Sequence, residues 1–293
     1  MIKRFLKIRL NSNFLCLCLF FALIILNSCK KKTEIDTEVQ SAIDNALCED
    51  RFMGIISDIN ANASHFMGLK KSTSVCENWS ILGALGNPTI TPSMNDTIDK
   101  NQDGFYDNGA VTFEFDYGAG CLSSDGQSIK KGIISITSSK RWVVLNHPII
   151  IKLKNYKIDD LNYSGKIVLT RTDSLKYSVQ VTDGHCTNGS WIIDFECSNS
   201  LEQTEGYTTK NNQTDDVILI SGNSNGKNRE NKLFTATIKN SLVKKSNCRW
   251  ISSGVLELTP QGLETRIIDF GNNSCDDKAK YTLNGNTIGF KLN

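Results

Sequence analysis

A chain of 293 residues with only four prolines and 21 glycines is neither collagen-like nor low-complexity. The formal charge of +2 is set by Lys3, Arg4, Lys7 and Arg9; beyond residue 28 the balance is 29 Lys and Arg against 31 Asp and Glu, about −2. A near-neutral body carries no electrostatic footprint for nucleic acid, so no nucleic-acid partner is expected.

Residues 1–28 read as a secretory leader. The four cations come first, then an uninterrupted apolar run of 13 residues from Phe14 to Leu26, then Asn27-Ser28-Cys29. A membrane span needs about 20 apolar residues, so the run suits a signal core better than a permanent helix. Leu26-Asn27-Ser28-Cys29 resembles the bacterial lipobox. That implies that Cys29 is the lipidated mature N-terminus, and that Cys16 and Cys18 leave with the leader. The expected mature chain is held to a membrane through its N-terminal lipid. The outer membrane is the expected one, with the surface or periplasmic face left open. Residues 29–35 form the tether, in which Lys30, Lys31 and Lys32 either touch anionic headgroups or stay solvated.

Residues 36–62 are predicted as one amphipathic helix packed on the body. Val39, Ile43, Ala46 and Leu47 recur at three and four, and the stripe continues through Phe52, Ile55, Ile56 and Ile59. Asp36 or Thr37 is placed to cap it. From there the period changes to two, and residues 63–293 are predicted as one large antiparallel β domain, a sandwich or a curved, partly closed barrel. Val111, Phe113, Phe115 and Tyr117 share one face of a strand, with Thr112, Glu114 and Asp116 on the other. Further strand-like runs cover 130–140, 147–156, 165–172, 176–182, 190–197, 216–221, 232–239, 249–258, 264–270, 278–283 and 286–291. Turn signals fall at 123–126, 182–184, 221–223, 260–262 and Asn284-Gly285. Strands in succession without helices between them argue for an antiparallel meander.

One motif occurs twice. Asp116-Tyr117-Gly118 leads to Cys121, and Asp269-Phe270-Gly271 leads to Cys275, each after a strand. Together with Asp44-Asn45-Ala46, Cys248-Arg249-Trp250 and Asn284-Gly285-Asn286, these motifs resemble a family of uncharacterised β-rich envelope lipoproteins of the Bacteroidota. The resemblance covers about residues 35–293. It implies an envelope lipoprotein and supplies no catalytic residues.

Seven cysteines follow Cys29, an odd number in a compartment that permits disulfides. The expected bridges are Cys76–Cys121, Cys248–Cys275 and Cys186–Cys197, with Cys48 free. The segment Asp99 to Asp107 is a candidate calcium loop. Asp99, Asn101, Asp103 and Asp107 alternate around Gly104, and the Phe105 carbonyl stands at the seventh position. Ala110 occupies the twelfth position, where the bidentate acid would be, so any binding would be weak and structural. No other cofactor is required. Nucleophilic catalysis finds no support: there is no Gly-x-Ser-x-Gly, and His185 and Cys186 are adjacent, so a strand points them apart. The expected role is non-catalytic, structural or ligand-binding, with a protein or glycan partner. The alternatives are a glycan-acting hydrolase and a carrier of apolar ligand inside a curved sheet.

Overall fold

The structure, a computed structural model, describes residues 39–56, 59, 78–82, 98–122, 128–209 and 214–292. The leader, Cys29, the tether and Cys76 lie outside the described residues. The chain divides into the units Met1–Gln40 and Ser41–Asn293, and the β domain belongs to the second.

The protein is all-β with a single described helix. The strands are β1 (Asn78–Leu82), β2 (Val111–Asp116), β3 (Cys121–Leu122), β4 (Ile129–Ser138), β5 (Pro148–Ile158), β6 (Leu161–Arg171) and β7 (Lys176–Thr187). They continue as β8 (Ile192–Glu205), β9 (Val217–Lys227), β10 (Leu233–Lys245), β11 (Ile251–Pro260), β12 (Arg266–Asn272), β13 (Lys278–Leu283) and β14 (Asn286–Lys291). Each pairs antiparallel with the next in chain order, except that β2 pairs with β4 and β3 sits beside β4. The two ends, β1 and β14, are not neighbours. The architecture is thus one open, curved sheet, not a sandwich of two sheets and not a closed barrel.

Alternation assigns the faces. On β5, Ile149, Ile151 and Leu153 are buried while Lys152 and Lys154 are exposed. On β8, Phe195, Cys197, Asn199 and Leu201 point inward while Glu196, Ser198 and Ser200 point out. Helix α1, residues 39–56 with residue 59 also helical, packs on the inward face, with Phe52 against β6 and β8 and Asp50 bonded to β11.

The sheet bends because its strands carry bulges at matching heights. The register shifts at Lys131/Ile133, Lys152/Tyr156, Ser164/Lys166 and Val181/Gly184 on four successive strand pairs. At each shift stands a residue of positive φ: Gly132 (80°), Asn155 (49°), Gly165 (132°) and Asp183 (51°). An extra residue on one strand coils the ladder, and a row of them across neighbouring strands curls the whole sheet. Shifts between Ile238 and Val243 on β10 and at Ser253/Val255 on β11 repeat the device. Two segments expected as turns are therefore strand interior. Residues 182–184 are the β7 bulge, and 221–223 lie inside β9. Asp-Gly and Gly-Asn supply the left-handed backbone that bulges and turns both need.

Gly184 shows what the curvature allows. A Cβ there would overlap the Phe195 carbonyl and stand 3.2 Å from the Phe52 ring. Without it, Phe52 of α1 stacks on Phe195 at 5.1 Å and meets Tyr163 edge-on at 6.0 Å. All three rings are buried. Phe52→Ala should therefore cost about 3–5 kcal/mol, the usual range for deleting a buried ring. Urea unfolding of the variant should show a lower midpoint at unchanged slope; an unshifted midpoint would place Phe52 outside the cooperative core.

Candidate functional site in the helix–sheet interior

An amphipathic helix on a sheet leaves its polar face in water. α1 does not. Asp44, Asn45, Glu49 and Asp50 have no exposed surface at all, and Arg51 has 6%. The curled sheet supplies their partners. Arg229 places its guanidinium 2.6 Å from Asp44 and donates its backbone N–H to the same carboxylate at 3.0 Å. Asp50 accepts the Ile251 N–H at 2.7 Å, with the Lys244 ammonium 3.7 Å away. Asn228 donates to the Ser41 hydroxyl at 2.6 Å. Arg51 lies over the Trp250 ring at 4.5 Å, and Arg249 lies over the same ring at 4.6 Å. Buried charges persist only where such partners meet them.

Satisfaction is incomplete. Both amide atoms of Asn45, one oxygen of Glu49 and the Asn199 carbonyl oxygen have no hydrogen-bond partner. Glu49 accepts from the Asn199 amide at 2.8 Å, which eases its charge. Burial outweighs that help and pushes its carboxyl up to about 6 from an ordinary 4.5.

Three free thiols share this interior: Cys48 on α1, Cys186 on β7 and Cys197 on β8. The expected Cys186–Cys197 bridge is absent. The register explains why: Cys186 lies opposite Ile193 and Cys197 opposite Val181, so the two cysteines sit at different heights of the β7–β8 pair. Cys186 instead faces α1: Tyr163, its partner across the β6–β7 ladder, meets Phe52, about one turn after Cys48. The interaction with the Cys48 thiol lowers the Cys186 pKa, opposed by burial and helped by Tyr163 and Arg51. Burial, and the same interaction, push Cys48 up, so Cys48 keeps its proton. Burial and nearby Glu49 also raise Cys197. Cys248–Cys275 is bridged, with Cα atoms 5.6 Å apart. Cys121 is also disulfide-bonded; its expected partner Cys76 lies outside the described residues.

The surface candidates fare differently. In the 99–107 loop the Gly104 N–H donates to Asp99 at 3.0 Å and the Lys100 N–H to Asp107 at 3.2 Å. Asn101 and Asp103 bond each other, and the Phe105 N–H donates to Asp103 at 2.8 Å. Such Asx turns hold the loop by themselves. The other Asp99 oxygen is buried without a hydrogen-bond partner. Among the described residues no three His, Cys, Asp or Glu side chains gather as a metal group. His185 sits on the outer face 2.9 Å from Asp194, while Cys186 points inward. Trp250 is buried and Trp191 is covered by Arg229 at 4.1 Å, so the two form no open platform. A crevice lined by Ile56, Leu169, Tyr177, Leu201, Gln203 and Ile218 has about 10 Å³, close to the room one water needs.

No family model, no curated protein and no solved structure matches this chain.

Glu49 gives the interior a measurable pH dependence. Between about pH 4.5 and 6 the folded chain holds a proton that the unfolded chain has lost. Stability contributed at this site is therefore complete below about 4.5 and falls as pH rises to about 6, by about 2 kcal/mol. Glu49→Gln should flatten that slope and stabilise the protein at about pH 7.5, where the unmodified carboxylate is charged and buried. Denaturant titrations from acid to neutral pH check this; an unchanged slope in the variant would assign the dependence to another group.

Proposed function

We propose that this chain is a lipid-anchored protein of the bacterial cell envelope with a non-catalytic, structural or ligand-binding role, akin to the Bacteroidota lipoproteins its motifs resemble. The observation that carries the reading is Leu26-Asn27-Ser28-Cys29 behind a 13-residue apolar core. Disulfide bonding at Cys248–Cys275 fits an oxidising compartment. The non-catalytic part is supported by the interior. Helix α1 lies on the concave side of the sheet, where a hydrolytic cleft would open. Glu49, whose carboxyl burial pushes up to about 6, is sealed against substrate.

A weak calcium site at Asp99, Asn101, Asp103, Phe105 and Asp107 belongs to the same proposal. It is favoured by the unpartnered Asp99 oxygen inside a loop already wrapped by the Gly104 N–H. Calcium at several millimolar should raise the melting temperature, and Asp103→Ala should abolish that rise. An equal response in both proteins would leave the loop as an Asx-rich turn.

The anchor is tested directly. Cys29→Ala should abolish incorporation of labelled palmitate and leave the precursor uncleaved. Labelling that persists in the variant would remove the lipoprotein reading.

A further inference from the structure

Cys48 and Cys186 come from elements far apart in the chain, α1 and β7. Cys48 stands about one turn before Phe52, whose ring meets Tyr163 at 6.0 Å, and Tyr163 lies opposite Cys186 in the β6–β7 ladder. Both are fully buried, and each shifts the titration of the other. Both are free, while the chain forms disulfides elsewhere, at Cys121 and at Cys248–Cys275. Of the seven cysteines that follow Cys29, pairing these two leaves Cys197 as the single odd thiol if Cys76 bridges Cys121. Burial, and then the nearby Glu49 charge, disfavours the Cys197 thiolate.

We propose that Cys48 and Cys186 form a dithiol–disulfide latch that fastens α1 covalently to the inner face of the sheet. The inference rests on the exported location proposed above, because only an oxidising compartment supplies the electron acceptor.

The acceptor is a protein dithiol–disulfide donor, and the exchange takes two steps. The Cys48 thiolate of the unfolded chain attacks one donor sulfur. A Cys48–donor bond forms, the donor S–S bond breaks, and one donor thiol is released. As the sheet closes, the Cys186 thiolate attacks the Cys48 sulfur. The Cys48–Cys186 bond forms, the mixed disulfide breaks, and the second donor sulfur leaves as a thiolate. Both cysteine protons end on the donor, which is reduced by two electrons while the cysteine pair is oxidised by two. Arg51 beside Cys186 favours the attacking thiolate in the second step.

The test needs no variant. The full chain, expressed with its own leader and recovered from the envelope, is quenched in acid and denatured with N-ethylmaleimide and no reductant. It is then digested and mapped by mass spectrometry. The expected map has a Cys48–Cys186 cross-linked peptide, a bridged Cys248–Cys275 and label on Cys197. Label on both Cys48 and Cys186 with Cys248–Cys275 bridged would overturn the latch while leaving the exported location standing. Label on all four would overturn both. Cys48 bridged to Cys197 would overturn the pairing.

Hydrogen exchange gives the second measurement. Amides of residues 41–56 should exchange at least about tenfold more slowly in the oxidised protein than after reduction, because the latch blocks local opening of the helix. Equal exchange in the two states would show that the bond fastens nothing.

Discussion

Everything in this fold depends on placing a charged helix where water cannot reach it. Asp44, Glu49, Asp50 and Arg51 lie within about two turns of α1, and no flat sheet could surround them. Their partners, Asn199, Arg229, Lys244 and Trp250, come from strands and connections between β8 and β11. The sheet must wrap far enough to bring these groups around the helix. An ion pair so buried gains little over an apolar contact, but removing one partner leaves a costly isolated charge. The arrangement is thus demanding about which helix fits and in which orientation.

The curvature that meets this demand is local in origin. Each bulge is made by one residue that tolerates positive φ, and the bulges of β4 to β7 fall in a row. One further contact shows how far the sheet turns. Arg249, before β11, bonds Asp159 in the turn between β5 and β6 at 2.6 Å. Five strands, β6 to β10, separate the two along the sheet, so the ends of these strands have come together over one end of the interior.

The sequence makes legible whatever is decided within a few residues. The strand runs from 111 to 291 show their period of two, and the twofold motif is one corner used twice. Gly118 donates to Asp116 and Gly271 to Asp269, both at 2.8 Å, and Tyr117 and Phe270 are both buried. Asx turns are local, so their signature is local too. The rest depends on distant partners. Nothing near Asp44 announces Arg229, 185 residues on, so the polar side of α1 has the look of a solvated face. Asp183-Gly184 and Ser221-Gly222-Asn223 carry turn chemistry, and only cross-strand pairing shows them to be strand interior. The cysteines mislead in the same way. Nearness in sequence favours Cys186–Cys197, whereas register separates those two and the helix brings Cys48 to Cys186.

The position of α1 at the start of the described chain has a consequence for assembly. Its hydrogen bonds to the sheet span from 146 to 201 residues, so the helix has no complete place to dock until β11 exists. Folds built on such distant pairings close late and slowly. A wholly greasy helix kept waiting that long would invite aggregation. The carboxylates of α1, expensive in the finished interior, keep the same segment hydrated during the wait, and one set of residues thereby serves both the nascent and the folded chain.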